Sequence, residues 1–281
     1  MTGGSARPSL ALASDEFAEN PRHDAAVSHA VLRRVASGEL PETLRLYVPD
    51  EVVLFSLLDA RNPGFAAAQE AASLLGCPSL LRLAGGHAAL FHRRCLAFAW
   101  AVPQAHATAG IEERFLALSG IVRRAFVRLG VDARVGEVPG EYCPGEYSVN
   151  AGGRIKLMGV GQRVIRGAAH VGGVIVVGNS ARLREILAPV YHNLALPWDP
   201  ASAGALEDAI PGVGVEDVRG ALLAEFGRER DLEAVALDPE TRALAESLES
   251  WHVPEGKPKD STELGIPGGG KTLGAGAPES D

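Results

Sequence analysis

Apolar residues recur every four positions at Val27, Val31 and Val35, with Asp24 ahead of them and Gly38 behind, so a first helix is predicted with Asp24 as its cap and Gly38 as its stop. Two short β-rich runs, 44–48 and 52–57, follow on either side of Pro49 and Asp50, and 65–75 reads as a helix ended by Gly76. Strands are predicted at 79–83, 88–91 and 95–102, a helix with apolar residues at helical spacing over 111–129, and strands at 133–138, 147–149, 154–158, 162–165 and 169–177. The segment 181–194 is helical in pattern, with Pro189 expected to kink or end it. Beyond the prolines at 197 and 200, two amphipathic helices are expected at 215–226 and 240–248. Strand pairs joined by short turns, without regular β-α-β alternation, predict an α+β fold: a mixed, largely antiparallel sheet with helices packed on its faces and a small C-terminal helical appendage.

The domain organisation expected from this pattern is a loose segment over 1–22, a main domain over 23–198, a helical appendage over 199–250 and a disordered tail over 251–281. The tail contains Gly268-Gly269-Gly270-Lys271-Thr272, but a phosphate loop needs a strand before it and a helix after it, and neither is visible. At 281 residues and 46% hydrophobic composition the chain can bury a sizeable core. The absence of any apolar run near eighteen residues, and of a leader pattern at the start, predicts no membrane span and a cytoplasmic location. A net charge of −8 argues against a nucleic-acid partner. Three scattered cysteines, Cys77, Cys95 and Cys143, fit neither a zinc site nor a disulfide framework, so reduced thiols and no metal centre are expected.

The stretch 141–177 concentrates the candidate chemistry. Lys156 lies in a glycine-rich frame, Gly153 on one side and Gly159 and Gly161 on the other, where backbone can approach a ligand closely. A cation fixed there could face an anion, whereas a lysine on a strand commonly points to solvent. Gln162 and Arg163 either order the strand beside a ligand or are solvated.

The run Gly153, Arg154, Ile155, Lys156, Leu157, Met158, Gly159, Val160, Gly161, Gln162 resembles the segment G-[RK]-K-[IV]-x-G-x-[AG]-Q of the lipoate-protein ligase and octanoyltransferase family, with the lysine one position later than in that pattern. Upstream, Leu81, Arg82, Leu83, Ala84, Gly85, Gly86 and His87 through His92 resemble the family's R-x-x-G-G-x-A-V-x-H block, the final histidine again one residue late. The two blocks stand in the family's order, and the likeness covers roughly 25–195. It implies a biotin/lipoate ligase-like fold and an enzyme that attaches a lipoyl or octanoyl group to a lysine of a carrier. The acceptor would be the lipoyl domain of a 2-oxoacid dehydrogenase subunit or the glycine cleavage H protein.

In the ligases, ATP with Mg²⁺ and the acid, lipoate or octanoate, give an acyl adenylate. Lys156 would then stabilise charge at the acyl and phosphate oxygens, with Arg82, Gly85, Gly86, His87, Gly159 and Gln162 in the substrate pocket. His87 stands where relatives often have Gly or Arg, and His92 reads as a structural hydrogen-bonding residue. Other members are ATP-independent transferases that carry the acyl group on a cysteine. One subgroup places that cysteine in the loop before the lysine segment, where Cys143 stands; the other places it after an Arg-Gly pair, and here Arg166-Gly167 is followed by Ala168, Ala169 and His170. Cys143 is therefore either a nucleophile or an inert loop residue, with Cys77 and Cys95 in the core. The departures at Ile155, His87 and His92 also fit a non-catalytic acyl-binding relative.

Overall fold

The structure, a computed structural model, describes residues 7–17, 19–104 and 110–254. In chain order its elements are β1 (Ser9–Ala13), α1 (Pro21–Ala36), β2 (Thr43–Tyr47), β3 (Val52–Phe55), α2 (Phe65–Leu74), β4 (Ser79–Leu81), β5 (Ala89–Phe91), β6 (Cys95–Gln104) and α3 (Ile111–Arg128). There follow β7 (Ala133–Val135), β8 (Val149–Ala151), β9 (Ile155–Ile165), β10 (Gly167–Val176), α4 (Ser180–Asn193), α5 (Leu206–Ala209), α6 (Val215–Glu229), β11 (Asp231–Val235) and α7 (Pro239–Leu248).

An eight-stranded sheet runs in the order β11-β1-β2-β6-β10-β9-β8-β7, and a second sheet of three strands runs β4-β3-β5. In the large sheet β1 is parallel to both β11 and β2, while the remaining pairs are antiparallel. The alternation of side chains across each strand divides the core in two. Leu44, Leu46, Leu96, Trp100, Val171 and Ile175 point to the layer made by α3 and α6, while Ala97, Ala101, Ala168, Val174 and Val176 point to α1, α4 and the small sheet. The expected mixed, mostly antiparallel sheet with helices on its faces is what forms.

Four boundaries differ from the sequence reading. Helix α1 is capped by Asn20, whose side chain accepts from the His23 N–H, while Asp24 is turned inward to pair with the buried Arg45. The two short strands expected at 154–158 and 162–165 are one strand, because β10 pairs with β9 continuously from Met158 to Ile165, across Gly159 and Gly161. Helix α4 does not end at Pro189 but runs through it to Asn193, held by Leu183, Ile186, Leu187, Val190 and Tyr191 on its buried face. The two ends of the described chain meet at the sheet: β1, from the segment expected to be loose, pairs along its length with β11, which lies between the two helices expected to form an appendage. Helix α7 packs on α1, and Trp251 and His252 beyond it are buried. The glycine-rich run 268–272 lies outside the described residues. Among the described residues no helix is long and apolar enough to cross a membrane.

Burial sets an acid limit on this fold. Burial first, then the charge of His252 and Arg33, holds His29 down to about 2 from 6.5. Burial likewise lowers His170 and His92 to about 4. Groups depressed in the folded state contribute stability that is complete above the unfolded value of 6.5 and is lost as pH falls toward the folded values. Asp24 acts in the opposite sense: burial outweighs Arg45 and raises it from 3.8 to about 6, so its contribution is complete below 3.8 and gone above about 6. His87, raised mainly by its hydrogen bond with Asp59, acts in the same sense as Asp24, and the three depressed histidines outweigh these two, so a net loss in acid is predicted. The urea midpoint is expected to be lower at about pH 4.5 than at about pH 7.5, and an equal or higher midpoint in acid would contradict this account.

Candidate active site

A β-bulge fixes the position of Lys156. Pairing between β8 and β9 shifts register so that Val149 faces Met158 while Asn150 faces Lys156, which leaves Leu157 as the extra residue. Leu157 and Met158 both enter the core on the α3 side, and Lys156 is turned to the opposite face, 1% exposed. Its ammonium donates to Glu141 Oε1 at 2.9 Å and to the carbonyls of Tyr142 at 2.9 Å and Cys143 at 2.7 Å, and it lies 4.8 Å from the centre of the Tyr142 ring. These three acceptors match the three protons of an ammonium. Lys156 is thus buried, as its glycine frame suggested, and its partners belong to the loop before β8.

Glu141 organises that loop. It is fully buried and also accepts from the N–H groups of Val138 and Gly145 and from the Ser148 hydroxyl at 2.7 Å. Cys143, two residues on, has φ 45°, a left-handed conformation that is sterically costly for a residue with a Cβ, on the order of 1–3 kcal/mol. Every polar group of Cys143 is engaged. Its N–H donates to the Tyr191 hydroxyl at 2.9 Å, and that hydroxyl donates to Ala88 O at 2.8 Å, so α4 ties the cysteine loop to the turn before β5. Its carbonyl accepts from Lys156, and its Sγ accepts from the His87 N–H at 3.1 Å, with Arg82 Nη2 at 3.5 Å.

The turn between β4 and β5 supplies these contacts. Arg82 closes it by donating to the His87 carbonyl at 2.6 Å. Gly86 has φ 91°, and a Cβ there would meet Cys143 Sγ at 2.6 Å and Arg82 Nη2 at 2.9 Å. Gly86→Ala is therefore expected to displace the thiol or the guanidinium and to cut thiol alkylation by iodoacetamide at least about tenfold, a rate that follows thiolate availability. An unchanged alkylation rate would show that the turn can yield.

The electrostatics favour a thiolate. Burial raises the Cys143 pKa, but the charges of Arg82 and Lys156, with the hydrogen bonds from His87 and Arg82, outweigh it and hold the thiol below its ordinary range. At the two other thiols burial outweighs the partners present, Arg182 and the Val53 backbone for Cys77 and the His92 and Val177 backbone for Cys95. Burial pushes Cys77 and Cys95 up to about 12, and both are core residues, as their apolar surroundings predicted. His87 is held above its ordinary value, mainly by its hydrogen bond with Asp59, against a smaller opposing effect of burial. That pair, Nδ1 to Oδ1 at 2.8 Å, is anchored from behind: the other Asp59 oxygen accepts from the N–H and hydroxyl of Ser56.

A cleft adjoins the thiol through Arg82, which lines both. It encloses about 450 Å³ of empty space, part of it open to solvent, between α1, β2, β6, β10 and the turn after β4. Its existence follows from side-chain size: Gly172 of β10 is paired with Ala99 of β6, so two adjacent strands present almost no volume beneath α1. Tyr47, Leu54, Leu83, Phe91 and Phe98 make most of its apolar wall, with Ser28, His170 and His252 among the polar lining groups.

Of the residues singled out from sequence, Arg82, Gly86, His87, Cys143 and Lys156 meet at one place. Gly85 and Gly159 are beside it: Gly161 faces Ala84 and the Gly85 backbone, and Gly159 faces the Lys156 side chain. Gln162 is not there. Being one residue out of phase with Gly159 and Gly161, it projects to the other face of the sheet, where it accepts from Arg114 at 3.0 Å and donates to Ile111 O at 2.7 Å. His92 is buried and accepts from the Arg94 N–H, a structural contact. Asp59, Glu141 as the partner of Lys156, and Tyr191 were not legible as site residues. Asp59 and Tyr191 lie far from both motifs in sequence, and only a capping pattern around Ser56 hinted at the former. Among the described residues no group of three or more His, Cys, Asp or Glu side chains is placed to hold a metal ion.

The family model of the lipoyl protein ligase A/B catalytic domain matches residues 20–227, and the chain belongs to that family. The octanoyl-GcvH:protein N-octanoyltransferase of Geobacillus kaustophilus is 27% identical over 191 residues, 67% of this chain and 66% of that protein. The chain thus spans just under two thirds of that relative's length. The protein of the same name from Bacillus velezensis is 26% identical over 253 residues, 83% of this chain and 87% of that one. In fold the chain is similar to protein Ta0514 of T. acidophilum with bound lipoic acid, at a TM-score of 0.68 and 19% identity over 87% of this chain and 95% of that one.

Proposed function

We propose that this chain transfers an octanoyl or lipoyl group to a lysine of a lipoyl carrier domain through a thioester on Cys143. The observation that carries the reading is the cradle around Sγ: a left-handed backbone, an N–H from His87, and the charges of Arg82 and Lys156, all acting on one thiol. Such an arrangement raises the thiolate fraction at neutral pH and holds the sulfur in one orientation, which is what a nucleophile needs. The names of the relatives, which act on octanoyl-GcvH and transfer to a protein nitrogen, support a carrier-bound donor. The adjoining cleft has the apolar wall that a medium-chain acyl group requires.

In this reading the thiolate attacks the acyl carbonyl of the donor, the acyl group rests on sulfur, and the acceptor lysine takes it. Lys156 contributes its field and fixes the loop; with three protein oxygens on its ammonium it is a positioning group for Cys143. The ligase alternative, with ATP and Mg²⁺, assigns that ammonium to an adenylate instead. It fits these residues less well, because the amine is fully engaged and His87 stands beside Asp59. The cytoplasm, the H protein and the 2-oxoacid dehydrogenase lipoyl domain are the location and partners proposed with this reading.

The test is intact-mass measurement after mixing the protein with octanoylated H protein and no ATP. One added octanoyl group, mapped to Cys143 and discharged by apo lipoyl domain, is expected. Transfer that needs ATP and leaves no acyl-cysteine would establish the ligase route instead.

A further inference from the structure

A thiolate that attacks a lysine-borne acyl group faces a leaving-group problem, since an amide nitrogen does not depart as an anion and must receive a proton as the C–N bond breaks. The nucleophile's own cradle does not meet that need. Lys156 is closed off by three oxygens, and Arg82 is committed to the His87 carbonyl and the sulfur. Tyr191 is buried, with its pKa raised well above 10 by burial first and by the Cys143 charge next.

One group beside the sulfur can hold and release a proton. We propose that His87, oriented by Asp59, is the general acid that protonates the leaving lysine nitrogen of an amide donor, and the general base for the incoming lysine. The geometry has three parts. The backbone of His87 is fixed to the nucleophile, its N–H 3.1 Å from Sγ. Its Nδ1 is 2.8 Å from Asp59 Oδ1, and Asp59, 1% exposed, is pinned by Ser56, so the ring orientation is set from the interior. The ring is nevertheless 27% exposed, and among the described residues Nε2 has no hydrogen-bond partner. A partly exposed, oriented imidazole beside a half-buried thiol suits a substrate that arrives on another protein. The charges around it, Asp59 and the Cys143 thiolate against Arg82, favour its protonated form, consistent with its raised pKa.

The inference rests on the thioester reading above. In the first half-reaction the Cys143 S–C bond forms, the C–N bond of the donor breaks, and the Nε2 proton passes to the departing nitrogen. The donor lysine leaves as a neutral amine and His87 becomes neutral. In the second half the acceptor amine attacks the thioester carbonyl and gives one proton to His87. The C–S bond breaks to return the thiolate, and the imidazolium is restored. Atoms and charge balance over the cycle without an added reagent.

The test compares two donors in single-turnover acylation of Cys143: octanoyl-lysine H protein, whose nitrogen needs a proton, and p-nitrophenyl octanoate, whose phenolate leaves without one. His87→Ala is expected to slow acylation from the amide at least about a hundredfold and from the ester less than about tenfold. Exogenous imidazole should restore part of the amide rate. Asp59→Asn should lower the amide rate more than the ester rate, a selectivity that a purely structural role would not produce. Equal losses with both donors, or an undiminished amide rate in His87→Ala, would overturn the proposal. A parent protein that accepts the ester but never the amide would overturn it while leaving the thioester reading intact. A parent acylated by neither would overturn that reading as well.

Discussion

Cys143→Ser is expected to lower acyl transfer by at least about a thousandfold and to abolish the trapped thioester, while leaving the fold unchanged. The two side chains are nearly the same size, and a hydroxyl can keep the contacts that the His87 N–H and Arg82 make with sulfur. What is lost is ionisation. Arg82 and Lys156 bring a thiol, already acidic by nature, below its ordinary pKa, but an alcohol starts so much higher that the same field leaves it protonated. Transfer assays on the purified variant, with circular dichroism to check folding, decide the matter. Activity near that of the parent would remove Cys143 from the chemistry and return the protein to the adenylate route.

Lys156→Met should act on stability more than any other single substitution at the site. It removes the cation from a buried pair and leaves Glu141 without its charged partner, a change that typically costs about 3–5 kcal/mol. It also leaves the carbonyls of Tyr142 and Cys143 without their donor. Because Glu141 holds the loop from Val138 to Ser148 through three further hydrogen bonds, the effect should reach Cys143 as lost order. Guanidinium unfolding of the single variant and of Lys156→Met combined with Glu141→Gln separates charge from packing. The double variant should be more stable than the sum of the two single changes predicts, by about 0.5–3 kcal/mol. Strict additivity would mean that the pair contributes nothing as a pair.

These two expectations depend on different kinds of information, and the division runs through the whole molecule. The elements were legible because each is a local matter: α3 carries apolar residues at helical spacing and stops before Gly130, and β6 and β10 are long β-rich runs. The glycine frame of Lys156 and the paired glycines before His87 were legible too, as backbone signals that need no knowledge of neighbours. Where local propensity met a tertiary partner, the partner decided. Pairing with β10 carried β9 across two glycines, and pairing between β1 and β11 drew both ends of the described chain into one sheet. No periodicity in either segment announces that contact, because it lies between residues more than two hundred apart.

The same reason explains the site. By itself the sequence determined that a cysteine, a lysine, an arginine and a histidine lie in two glycine-rich segments, and so which chemistries were available. It could not say that Glu141 neutralises Lys156, since burial and not spacing forces a charged pair together. Nor could it show that Gln162 faces away, because strand phase is read against the neighbouring strand and its bulge. The thiol of Cys143 became distinct from those of Cys77 and Cys95 only when the turn from β4, the loop before β8 and α4 were folded around it. A pKa belongs to surroundings, and surroundings are a property of the tertiary structure.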